Sequence, residues 1–135
     1  MLNYHFGSRA GLVAAVVETV EAAQRDLLTE LATEIDVPIE LARALWRRTS
    51  APEMRPFVRL FFETVALTGG EGLTDPWVSL SLEVSDRLGV ASDEDELRLG
   101  VAVTRGLLID VLASDDATQA TRAFERYLEM WRATQ

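Results

Sequence analysis

The 135-residue chain contains no cysteine and no lysine, and its single histidine is His5. Without cysteine it can hold no disulfide, no thiolate metal centre and no cysteine nucleophile. One imidazole cannot build a histidine cluster, so no metal site is expected. Nothing in the sequence resembles a membrane span. The apolar run 10–17 follows Arg9 and mimics a signal-sequence core, but Glu18 interrupts it and no small-residue cleavage site follows. The chain therefore reads as soluble and cytoplasmic, with no membrane partner.

Positive charge is scarce as well. Thirteen basic residues, all arginine, face 22 acidic ones, for a net charge of -9. The imbalance is uneven: residues 1–68 carry 7 basic and 9 acidic side chains, and residues 69–135 carry 6 and 13. An acidic chain repels phosphate, so this chain alone is not expected to bind nucleic acid. What is present fits one folded domain, with 48% hydrophobic and 26% charged residues.

Apolar spacing predicts six helices and no strand. Over residues 9–35, Leu12, Val16, Val20, Ala23, Leu27, Leu31 and Ile35 recur at steps of three and four, which defines one face of a long helix. Glu18, Glu21 and Arg25 fall on the opposite side. Asp36-Val37-Pro38 resets the chain, with Asp36 a candidate cap for a second helix over 38–49. That helix turns Ile39, Leu41, Ala42, Leu45 and Trp46 inward. Ser50-Ala51-Pro52-Glu53 matches a capping box for a third helix over 52–68. Gly69-Gly70-Glu71-Gly72 ends it; with no Lys-Ser/Thr after it and no strand before it, this stretch is a connection and not a phosphate loop. Thr74 is placed to cap a fourth helix that stops at Gly89.

Ser92-Asp93-Glu94-Asp95-Glu96 lacks the spacing of a calcium loop and suits a helix N-terminus, where negative charge is favoured. The fifth helix, 93–113, is apolar on nearly every side, which predicts burial all round. A domain this small cannot surround it, so a second subunit is the expected cover. Gly100, Ala102 and Gly106 keep its surface small enough for another helix to approach. The sixth helix, 118–133, carries Ala120, Phe124, Tyr127, Leu128 and Trp131 on one stripe.

Catalysis is not expected, and no catalytic residue is assigned: the only imidazole lies beside the chain start. Glu63, Glu83 and Asp110 interrupt apolar stretches and are candidates for pairing with Arg105, or for exposed positions between buried ones. A ligand site has better material. Trp46, Phe57, Phe61, Phe62 and Trp77 load the middle helices with aromatics, and Thr64, Ser81, Thr104 and Arg105 are interspersed among them. An apolar cleft with a few polar groups is the usual make-up of a small-molecule site. A filled aromatic core has the same composition.

Tyr4-His5-Phe6-Gly7-Ser8-Arg9, then Leu12 and a long helix, resembles the junction motif of the TetR family of bacterial transcriptional regulators. There an aromatic run ends the recognition helix of a helix-turn-helix, and a glycine, a serine and a basic residue lead into the helix joining the DNA-binding and ligand-binding domains. Asn3 stands where an aromatic is common, and Arg9 where lysine is commoner. Residues 104–112, Asp115-Asp116 and Ala123-Phe124-Glu125-Arg126 are similar to the two C-terminal helices through which such regulators dimerise. The resemblance implies an all-α, six-helix TetR-type C-terminal domain, helices four to nine of the usual nine. Residues 1–7 would be the end of the recognition helix and 8–135 the effector-binding and dimerisation domain.

It further implies that Tyr4 and His5 contact operator phosphates only in a protein that also carries the missing N-terminal helices. The effector pocket would use Trp46, Phe57, Phe61, Trp77, Thr104 and Arg105, and the homodimer Ala102, Gly106, Ile109, Phe124, Leu128 and Trp131. The ligand would be a small apolar or amphipathic effector, with no cofactor. The alternative is a standalone helical interaction module, with no sizeable cavity lined by Trp46, Phe61 and Trp77.

Overall fold

A computed structural model describes residues 8–133, and the expectations for Tyr4 and His5 lie outside them. The described residues are helical, with no strand: α1 Arg9–Glu34, α2 Pro38–Thr49, a 3-10 turn Pro52–Met54, α3 Arg55–Thr68, α4 Asp75–Arg87, α5 Glu94–Ser114 and α6 Thr118–Ala133. No helix among them is long and apolar enough to cross a membrane.

Local chemistry accounts for most of the boundaries. Ser8 caps α1 by accepting from the Gly11 amide at 3.2 Å, and Asp93 caps α5 by accepting from the Glu96 amide at 2.8 Å. The acidic residues 93–96 are thus helix-start residues, and no group able to hold a metal ion occurs among the described residues. Gly69 ends α3 in the left-handed conformation at φ 80°, where a Cβ would be strained. Asp115 takes the same conformation after α5, and Asp116 accepts from the Thr118 amide at 3.0 Å to start α6.

Three expected caps do not form. Val37, not Asp36, precedes α2, which relies on Pro38 in its first turn. The Ser50 hydroxyl donates back to the Trp46 carbonyl at 2.7 Å, so the capping box gives way to the 3-10 turn. Thr74 precedes α4 but makes no side-chain cap; its hydroxyl accepts from Arg105 instead.

Two apolar clusters hold the helices together. One joins Ile39 and Trp46 of α2, Val58 of α3, Leu108 and Val111 of α5, and Ala120, Phe124 and Leu128 of α6. The other joins Leu28 of α1, Leu41 of α2 and Val84 of α4. The α1 face is rotated from the expected one: Val13, Val17 and Leu28 are buried, whereas Leu12 is 52% exposed and Ala23 is also outside. Polar side chains at inward positions, Glu21 and Gln24, break the apolar pattern and caused the offset.

The α6 stripe is spent within the chain. Phe124 and Leu128 are buried, and Trp131 packs on the same cluster, so the expectation that Phe124 and Leu128 meet a partner is corrected. Within the chain only Leu108 and Val111 of α5 are buried, while Leu99 and Ile109 are more than half exposed, so part of this apolar helix lacks cover from its own chain. Gly100 has an internal explanation, since a Cβ there would lie 3.0 Å from the Tyr127 hydroxyl. Ala102 and Gly106 are exposed, and a Cβ on Gly106 would meet nothing within 4 Å.

A polar clamp fastens α6 to α2. Arg43 donates to both Glu125 carboxylate oxygens at 2.7 Å and also pairs with Glu40. Hydrogen bonds from Arg43 hold the Glu125 carboxyl below its ordinary value, and those to Glu125 and Glu40 raise Arg43. Because the folded-state value of Glu125 is depressed, its contribution to stability is present above the unfolded value, about 4.3, and is lost as pH falls below it. Urea unfolding midpoints are therefore expected to drop from pH 6 to pH 3.5, and the drop to shrink in Glu125→Gln. An unchanged drop would assign the acid sensitivity elsewhere.

Candidate functional site

Between the two clusters the side chains leave a cavity of about 220 Å³. All six residues expected for an effector pocket line it: Trp46 from α2, Phe57 and Phe61 from α3, Trp77 from α4, and Thr104 and Arg105 from α5. Trp46 is locked in place, stacked on Phe124 with ring centroids 4.9 Å apart and donating its indole N–H to Thr121 Oγ1 at 2.9 Å. Phe57 is 39% exposed and stands toward solvent.

One polar network crosses the wall. Trp77 Nε1 donates to Glu21 Oε1 at 2.8 Å, and Arg105 lies 3.9 Å from the same oxygen. Arg105 also donates to the Leu73 carbonyl and to Thr74 Oγ1, and its guanidinium sits 4.8 Å from the centre of the Phe61 ring. Burial pushes the Arg105 guanidinium down from its ordinary value, and Glu21 acts in the opposite sense. This network ties α1, α4 and α5 together at the cavity.

Glu21, Gln24, Thr49 and Glu96 are polar lining residues that sequence reasoning missed. Glu21 and Gln24 looked like the outer face of α1, and Glu96 like one of several cap acids. A signal was available in the spacing: Val13, Val17, Val20, Glu21, Gln24 and Leu28 form an alternative stripe of α1 with two polar members.

Of the other acids, Glu63 does not reach Arg105. It accepts from Arg9 Nε and Nη2 at 3.1 Å on the surface, tying the start of α1 to α3. Glu83 and Asp110 are exposed. Ser81 lines the cavity. Thr64 does not: it is buried elsewhere in α3, and its hydroxyl lacks a hydrogen-bond partner. The arrangement can enclose an apolar body and orient a polar group. Compared with family models, with curated proteins and with solved structures, the chain matches none.

Proposed function

We propose that the chain is the effector-sensing and dimerisation domain of a TetR-like transcriptional repressor. The observation that carries the reading is the convergence of six residues from four helices on one aromatic cavity. The cavity touches α1, the helix that by resemblance joins sensing and DNA-binding domains, through Val17, Val20, Glu21 and Gln24. A ligand that displaced Trp77 or Arg105 from Glu21 would act directly on that helix. The open apolar face of α5, with Leu99, Ala102, Gly106 and Ile109, supports pairing with a second copy across a two-fold axis. Operator recognition belongs in this reading to a helix-turn-helix that these residues do not contain.

A library of small apolar and amphipathic molecules, screened by thermal melting, tests the proposal. Specific members are expected to raise the melting temperature of the chain. A library without effect would count against sensing.

A further inference from the structure

We infer that the cavity selects a neutral aromatic ligand bearing a hydrogen-bond acceptor, such as an aryl ketone, over charged ligands of the same shape; this rests on the cavity being a ligand site. An apolar cavity of about 150 Å³ takes a benzene ring. The space here, about 220 Å³, has room for a second ring. The cation on its wall is Arg105, whose Nη1 donates to Thr74 Oγ1 and Nη2 to the Leu73 carbonyl. Those bonds use two of the five N–H groups of a guanidinium, and three remain for an acceptor. The side chain is only 21% exposed, and its guanidinium sits 4.8 Å from the centre of the Phe61 ring. A hydrocarbon that expelled solvent from this wall would leave those donors without acceptors, whereas a carbonyl oxygen would replace the displaced water.

Charge at this point is already balanced. Arg105 lies 3.9 Å from Glu21 Oε1, the oxygen that also accepts from the Trp77 indole, and the Glu21 side chain is only 16% exposed. A carboxylate seeking Arg105 would approach Glu21 as a like charge, weakly screened, and an ammonium seeking Glu21 would approach Arg105 in the same way. Either ion would also give up its own hydration on entering an apolar space. Glu96, the other charged residue of the lining, is engaged within the protein as well. Gln24, one turn along α1 from Glu21, is neutral: its Nε2 meets the Met54 sulfur at 3.9 Å, and its buried Oε1 has no hydrogen-bond partner. A neutral acceptor takes up the spare donors of Arg105 and leaves its pair with Glu21 intact.

Equilibrium dialysis of the 135-residue protein against acetylnaphthalene, isopropenylnaphthalene, naphthoate and naphthylethylamine tests this. The four share a two-ring body and differ in acceptor and charge. The ketone is expected to bind at least about tenfold more tightly than the alkene, and than either ion. Arg105→Met should remove the advantage of ketone over alkene. Glu21→Gln keeps an oxygen for Trp77 and frees the charge of Arg105, so naphthoate should gain at least about tenfold relative to the ketone. This second variant gives an independent reading should the first fail to fold. Equal binding of ketone and alkene, or an ion binding as well as the ketone, would overturn the preference while leaving the cavity a ligand site. A ketone advantage unchanged in Arg105→Met, or a naphthoate affinity unchanged in Glu21→Gln, would do the same. Failure of all four probes to bind would overturn the preference and the site together.

Discussion

Replacing Trp46 with alanine is expected to cost about 3–5 kcal/mol of stability, the range for losing a large buried aromatic. The side chain is 2% exposed, is stacked on Phe124, and holds α2 to α6 through Thr121. It also forms part of the cavity wall, so alanine would enlarge an existing space that the structure cannot close around. Domains of this size have roughly 5–15 kcal/mol in all, and the variant would be left marginal. Trp46→Phe keeps an aromatic against Phe124 and loses the indole hydrogen bond, for a cost nearer about 1 kcal/mol from that bond plus a packing loss. Urea unfolding followed by far-ultraviolet circular dichroism separates the two. An alanine variant within about 1 kcal/mol of the wild type would show that the stack carries little of the core.

Substituting leucine for Gly106 should abolish or strongly weaken self-association without harming the fold. A glycine inside a helix costs about 0.5–1 kcal/mol relative to alanine. Nothing within the protomer requires one here, since a Cβ at this position meets no atom within 4 Å. In the proposed dimer, close approach of a second helix would supply that reason, and Ala102 one turn earlier extends the same small surface between Leu99 and Ile109. Light scattering on the wild type should give twice the chain mass of 15.0 kDa, and on Gly106→Leu a mass near that of one chain. The helical content and unfolding midpoint of the variant should be at least retained. A monomeric wild type at micromolar concentration would contradict the dimer; an unaffected dimer in the variant would move the interface to another face.

The helices themselves were legible in the sequence because each is bounded by residues with strong backbone preferences. Ser8, Gly69, Gly89 and Asp93 lie at or beside the boundaries they suggested. The aromatic lining was legible for a related reason: large rings interspersed with single polar groups on consecutive helices have few places to go except one shared interior. Helix faces were harder to read. On α1, Leu12 and Val13 are equally apolar, and periodicity could not choose between neighbouring stripes when Glu21 and Gln24 line the cavity. Phe124 and Leu128 suit either a core or an interface, and only the position of Trp46 shows that they belong to the core. Long-range pairs such as Arg43 with Glu125 and Arg9 with Glu63 join residues more than fifty positions apart, which no local pattern encodes.

The measurement that bears most directly on the sensing role is thermal melting of the wild type beside Ser81→Trp, each with the same small apolar and amphipathic molecules. Ser81 lines the cavity, and an indole there would occupy space a ligand needs. A ligand at a hundredfold excess over its dissociation constant adds about 2.7 kcal/mol, which is a rise of roughly 8–10 °C for a chain of this length. That rise is expected in the wild type, and its loss in the blocked variant. No stabilisation of the wild type, or equal stabilisation of both proteins, would contradict it.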